Sequence, residues 1–345
     1  MADDVQISKR KAFLPITEDL EDYLDQFGRR FSLPATYQDL RAFSESYPLD
    51  DKNGNPTHWS GVLYPRELRD ELYPRLTSIY SLLRTGDLQA VSHLYVERVD
   101  YCEFGNSRPF RVRVVNHYND NYDHFYVKIA DASRVYGLEL EHLLSPNRIN
   151  YLAHSGTLVE EHIAGVPGDA FIRDHLERPE VNRVRIAKEF VKFSERCFIR
   201  LLGDMRSYNY VIDITPDFED VQYRVRAIDF DQQCYEGRRN IYLPQFFKEN
   251  NPVVWLCGRL LNLPTMQQYQ DEERSLIARR YISEHQRLFA LLECMKRNPR
   301  EPQDKVMQLA RELGEHHRTD RFDTCDSMGA IVETHLAIAL GRHLI

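Results

Sequence analysis

"LLGDMRSYNYVID", residues 201–213, sets an aspartate, Asp204, five positions before an asparagine, Asn209. Residues 227–233, "AIDFDQQ", add Asp229 and Asp231. Two readings compete here. Hard oxygens in this density suit a divalent cation and a phosphate. They equally suit ordinary turns, where Asp and Asn side chains bond nearby backbone N–H groups. The flanks help to decide. "EVNRVRIAKEFVKFSERCFIRLL" (180–202) carries a broad apolar face at helical spacing, and "NYVIDI" (209–214) and "YRVRAIDF" (223–230) form a hairpin around "TPDFEDVQ". The Asp-x4-Asn run therefore joins a helix to a hairpin whose far end is Asp-Phe-Asp, and the hairpin brings the two motifs together.

Upstream, "VSHLYVERV", "FRVRVVNHY" and "HFYVKIAD" (within 91–131) read as an antiparallel meander of three strands. Phe110, Val112 and Val114 share one face with Arg111 and Arg113 opposite; Phe125, Val127 and Ile129 likewise leave Lys128 on the other face. "ASRVYGLELEHLLS" (132–145) is a short helix stopped at Ser145-Pro146. Two strands, "INYLA" and "TLVEEHI", follow, and "AGVPGDAF" (164–171) reads as a hinge. Residues 1–87 read as a polar helical extension, with Leu68, Leu72, Leu76, Ile79 and Leu82 at helical spacing before Gly86. Within it "YPLDDKNGNPTHWSG" (47–61) reads as a surface loop with a packed Trp59. From about 240 onward the pattern is helical. The expected division is 1–87, 88–163 and 164–345.

A length of 345 residues favours two domains or a two-lobed one with an extension. The net charge of -8 argues against bulk binding of nucleic acid or an anionic membrane. Six cysteines without a CxxC pair support neither zinc nor a disulfide framework. With no leader and no apolar run of membrane length, a cytoplasmic location is expected.

The order of strands, Lys128, a helix with glutamates, two strands, hinge, helix, "LGDMRSYN", hairpin and "IDFD" resembles the protein-kinase-like superfamily. It is nearest the aminoglycoside and choline phosphotransferase branch. The resemblance implies an α+β, two-lobed fold: a small antiparallel-sheet N-lobe and a mainly helical C-lobe. It implies ATP and Mg2+ as cofactors and phosphoryl transfer to a hydroxyl of an acceptor, a small molecule ahead of a protein.

Phosphoryl transfer asks the protein for positioning and charge neutralisation. The resemblance makes Asp204 the base for the attacking hydroxyl and Asn209 and Asp229 the neutral and anionic metal ligands. Lys128 would meet the nucleotide phosphates, oriented by a glutamate of the next helix. Glu139 is preferred to Glu141 for that task, because Leu143 and Leu144 follow it as core residues. The backbone around Glu161 and Ile163 would read the adenine edge, and the acceptor would be held by the C-terminal helices, with Trp255 a wall or a core residue.

Three positions depart from the family pattern. The phosphate-covering turn "DYCEFGNSRPF" (100–110) offers only Gly105, with Ser107 and Asn106 as further donors and Arg108 as an extra cation. Leu202 stands where the family has a bracing His. Arg206 is set either to touch the transferring phosphoryl group or to pair with a neighbouring acid. A regulatory scaffold that binds nucleotide without turnover, and nucleotidyl transfer on the same fold, are the alternatives.

Overall fold

The computed structural model describes residues 11–51, 54–87, 92–103, 107–217, 221–299 and 301–344. It is an α+β protein, and its chain contacts separate it into two compact units. Unit 1 comprises Met1–Ala132 and Ile149–His162; unit 2 comprises Ser133–Arg148 and Ile163–Ile345. Among the described residues no helix is long and apolar enough to cross a membrane.

Unit 1 holds α1 (Glu18–Gln26), α2 (Tyr37–Leu40), β1 (Glu45–Asp50), β2 (Pro56–Leu63), α3 (Arg66–Thr85), β3 (Leu94–Cys102), β4 (Phe110–Asn116) and β5 (Tyr122–Ile129). After α4 (Ala132–Leu144) the chain returns with β6 (Tyr151–His154) and β7 (Thr157–Glu161). The seven strands form one antiparallel sheet in the order β1-β2-β3-β4-β5-β7-β6. The alternation read in β4 and β5 is the reason for its core. Phe110, Val112, Val114, Phe125 and Val127 are buried with Leu72, Leu76, Ile79 and Leu82 of α3 in one apolar cluster. Gly86 ends α3 in the left-handed conformation (φ 76°), where a residue without Cβ costs least.

The stretch expected as a loop at 47–61 belongs largely to β1 and β2. Residues of β1 are almost all exposed, so there was no apolar alternation to read. The pairing is held from the side: Tyr47 stands opposite Gly61, so close that a Cβ there would meet Tyr47 Cζ at 2.4 Å. Trp59 lies on β2, paired with Cys102 of β3, and the Arg111 guanidinium sits 4.5 Å over its ring. Residues 1–87 are accordingly not a separate helical extension: α3, β1 and β2 share the sheet and core of unit 1.

Unit 2 contains α4, β8 (Val166–Pro167), α5 (Gly168–Asp174), α6 (Arg183–Arg200), β9 (Tyr210–Pro216) and β10 (Val221–Ala227). The helices α7 (Asn251–Leu260), α8 (Leu263–Ser283), α9 (His285–Arg297), α10 (Gln303–His317) and α11 (Met328–Leu340) complete it. β9 and β10 form the expected hairpin, extended by β8. Trp255 is not a core residue: it is 64% exposed on α7.

A histidine pair is sealed among α6, α10 and α11. His335 is fully buried; its Nε2 lies 3.0 Å from Phe198 O and its Nδ1 3.1 Å from His317 Nε2. A neutral His335 donating from Nε2 and accepting at Nδ1 satisfies both contacts. Burial, reinforced by the neighbouring imidazole, pushes the pKa of His335 down to about 3 and that of His317 to about 4. The unfolded chain therefore binds protons that the folded one refuses. Stability is complete above about pH 6.5 and declines as pH falls toward 4, by about 1 kcal/mol per pH unit for each histidine. Urea unfolding at pH 7 and pH 5 should show this loss, and His335→Gln should reduce it by about 2 kcal/mol. Equal pH sensitivity in the variant and the parent would contradict it.

Candidate functional site

The run 201–209 leaves α6 through Leu201, whose backbone is left-handed (φ 53°), and turns again at Asp204 (φ 58°). Gly203 sits where a Cβ would meet Ile241 Cγ2 at 2.9 Å and Gln232 O at 3.0 Å, which accounts for a glycine before the aspartate. Main-chain bonds fix the loop: Gly203 N to Gln232 O (3.1 Å), Asp204 N to Ile241 O (3.0 Å) and Arg206 N to Asp204 O (2.8 Å).

The hairpin register then brings the second motif to the first. Ala227 pairs with Tyr210, and one step further Ile228 N donates to Asn209 O at 3.0 Å. Asp229 is thus the next residue beyond the clasp. Asn209 Nδ2 donates to Asp204 O at 2.7 Å, tying the asparagine to the backbone of the aspartate. Asp204, Asn209 and Asp229 are brought together on one loop and one hairpin end, all inside unit 2.

The charges on these groups are partly answered by the protein itself. Arg206 Nε donates to Asp204 Oδ1 (2.9 Å) and its NH1 to Glu249 Oε1 (2.7 Å), with the guanidinium 5.0 Å above the Phe247 ring. The neighbouring-acid pairing expected for Arg206 is therefore present, and the acids are Asp204 and Glu249. Burial raises the Asp204 pKa; Arg206 opposes the rise, and the nearby Asp229 and Glu249 carboxylates add to it. A carboxylate shifted upward is the stronger proton acceptor.

Arg134, at the start of α4, was not anticipated. Its NH1 donates to Asp229 Oδ1 at 2.7 Å and to Asp231 Oδ1 at 2.9 Å, and its NH2 reaches Ile228 O at 3.3 Å. Ser133 Oγ bonds Asp231 O and Gln233 O in the same turn. The second motif also braces the end of α6: Gln233 Nε2 donates to Arg200 O (2.5 Å) and Leu201 O (3.2 Å). Buried Asn250 completes the brace, donating to Met205 O and Pro244 O while accepting from Tyr210 Oη.

The donor set suits an oxygen-ligated ion. Asn209 turns its amide nitrogen toward Asp204, so its Oδ1 is left without a hydrogen bond among the described residues. Asp229 supplies a carboxylate whose side chain is 36% exposed. Among the described residues no three His, Cys, Asp or Glu side chains form a metal-holding group. One amide and one carboxylate make an open pair of ligands, as Mg2+ uses when water and phosphate oxygens supply the rest.

In unit 1, Lys128 is buried and its Nζ donates to Glu160 Oε2 of the adjacent strand β7 at 2.7 Å. The glutamate expected to orient it, Glu139, lies in unit 2 and takes a bidentate pairing from Arg287 (2.6–2.9 Å). Glu141 pairs with buried Arg200. Within unit 1 the carboxylate that Lys128 meets is that of Glu160, a residue the sequence reading did not assign to it. Glu161 is engaged with its neighbours. Its backbone N–H is given to Asn150 O (3.0 Å) and its carboxylate to Asn150 and Arg84. Ile163 is buried at the start of the second stretch of unit 2. Ser107 is half-buried before β4; Gly105 and Asn106 lie outside the described residues.

No protein-family model and no curated protein matches this chain.

The Gln233 brace has a measurable consequence. Replacing Gln233 by Leu, a side chain of similar size, leaves the buried Arg200 carbonyl without its amide donor and the Leu201 carbonyl with only the bond from Cys234 N. The unfolding free energy should fall by about 1–3 kcal/mol, read from urea denaturation. An unchanged midpoint would show that water or another group serves those carbonyls equally well.

Proposed function

We propose that this chain is an ATP- and Mg2+-dependent phosphotransferase of two-lobed, kinase-like build, moving a γ-phosphoryl group to a hydroxyl of a small-molecule acceptor. The observation that carries the reading is the clasp between Asn209 O and Ile228 N, which brings Asn209 of one motif next to the residue preceding Asp229 in the other, beside Asp204. Three oxygen-bearing residues from two separated motifs converge there.

The division of labour follows from their chemistry. Asp204 accepts the proton as the acceptor O–H bond breaks and the new O–P bond forms; the bond from the γ-phosphorus to the bridging oxygen breaks, and ADP leaves with that electron pair. The raised pKa of Asp204 serves proton uptake, and Arg206 holds its Oδ1 so that the carboxylate keeps one orientation. When bound, Mg2+ neutralises charge on the phosphate oxygens. Asn209 and Asp229 are the residues that would hold it. Lys128, held by Glu160, is assigned the nucleotide phosphates.

A second reading, a nucleotide-binding scaffold without turnover, draws on two observations. Arg206 already answers the charge of Asp204, and Arg134 that of Asp229. Thermal unfolding separates the cases first, since Mg-ATP should raise the melting temperature in a dose-dependent way if the nucleotide binds at all. Turnover separates them next. With an acceptor found by metabolite screening, Asp204→Ala should cut ADP release by about 10²–10⁴-fold with ATP affinity nearly unchanged. Lys128→Ala should weaken both. Full turnover in Asp204→Ala would remove Asp204 as the base, and transfer of AMP instead of phosphate, read by mass spectrometry, would replace the reaction class.

A further inference from the structure

Asp229 and Asp231 present two carboxylates to one nitrogen: their Oδ1 atoms lie 2.7 and 2.9 Å from Arg134 NH1. Two like charges held this close would by themselves attract a divalent ion between them. The guanidinium fills that place. Its side chain is only 2% exposed, so the charge is fixed by the protein and not lent by solvent. The backbone around it is equally fixed, with Ser133 Oγ bonded to Asp231 O and Gln233 O and Arg134 NH2 to Ile228 O. The two acids differ in access. Asp231 is 12% exposed at the side chain and Asp229 36%, so Asp229 is the one open to a ligand.

We infer that Arg134 is a positioning residue for the metal aspartate: it orients the Asp229 carboxylate toward Asn209 and keeps Asp231 from drawing the cation away. The inference rests on the phosphotransferase reading, in which Asp229 is a metal ligand. Arg134 touches neither substrate nor metal; it acts through Asp229. A positive charge bonded to the liganding carboxylate would also weaken a divalent ion's hold on the site, by roughly tenfold in affinity even at the dielectric of water. Removing the charge should therefore tighten cation binding while spoiling catalysis, because the ion is drawn between Asp229 and Asp231. A residue that merely supports the fold would not produce that opposition.

The test uses the full chain and Mn2+ alone, followed by electron paramagnetic resonance, with ADP release measured in parallel. In Arg134→Gln the Mn2+ dissociation constant should fall about tenfold and ADP release should drop by tenfold or more. Arg134→Lys, which keeps the charge without the fork, should hold Mn2+ affinity within about threefold of the parent and recover part of the rate. Unchanged or weaker Mn2+ binding in Arg134→Gln overturns the inference and leaves the phosphotransferase reading standing. Absence of Mn2+ binding to the parent chain removes the metal site itself and the inference with it. Should Arg134→Gln fail to fold by circular dichroism, the charge-balanced double variant R134Q/D231N takes its place. Its Mn2+ affinity should stay within about threefold of the parent with ADP release still low; a loss beyond about tenfold, or parental ADP release, overturns the inference.

Discussion

Helix α4 is where the structure of unit 2 is decided. Three of its charged side chains are spent on three different elements. Arg134 holds the turn at Asp229 and Asp231, Glu139 holds Arg287 of α9, and Glu141 holds Arg200 of α6. Glu139, Glu141, Arg134 and Arg200 are all buried. Burial pushes the Arg200 pKa down to about 9, which still leaves it charged at neutral pH. Such pairs contribute little net stability, because the desolvation of both ions offsets their attraction; breaking one, however, costs about 3–5 kcal/mol by stranding a charge. Their effect is therefore on specificity. The helix can dock in one register only, since any other leaves several charges buried and alone.

That docking explains why α4 groups with unit 2 although it lies in sequence between strands of unit 1. It also explains what could be read in advance. Periodicity is a local signal, and the elements it governs were legible: the alternation in β4 and β5, the apolar face of α6, the hairpin of β9 and β10, the glycine stop of α3. The hairpin of β1 and β2 was not legible, because its residues face solvent and carry no alternation. Within the site, Asp204, Asn209 and Asp229 were picked out by the resemblance of their two motifs to a known pattern, since their spacing alone suits ordinary turns as well. Arg134 and Gln233 could not. Arg134 meets its acids 95 and 97 positions away, and Glu139 meets Arg287 148 positions away. Nothing in "ASRVYGLELEHLL" marks which of its charges goes where. Glu160 was closer to legible, since it stands diagonal to Lys128 on the neighbouring strand, where Tyr126 pairs with Glu160 and Lys128 with Leu158.

The backbone of the site carries its own argument. Leu201, Asp204 and Cys234 all adopt the left-handed conformation that L-residues avoid (φ 53°, 58° and 46°). For Asp the cost is modest, because its short side chain tolerates this region; for a leucine it is a real strain, of order 1–3 kcal/mol. These residues are not scattered. Cys234 N donates to Leu201 O, Leu202 bridges to Gln233, and Gly203 N donates to Gln232 O, so the two strained segments lie against each other and share their hydrogen bonds. Strain of this kind persists only where the surroundings over-determine it. Here they do, through the Gln233 amide on the Arg200 and Leu201 carbonyls, the Asn250 amide on Met205 O, and Ser133 on the carbonyls of Asp231 and Gln233. A relaxed helix end at 201 would carry the chain away from residues 228–234 and part Asp204 from Asp229. The strained geometry is thus the means by which two motifs some twenty residues apart are kept at one place, and the buried amides of Gln233 and Asn250 are what keep it from relaxing.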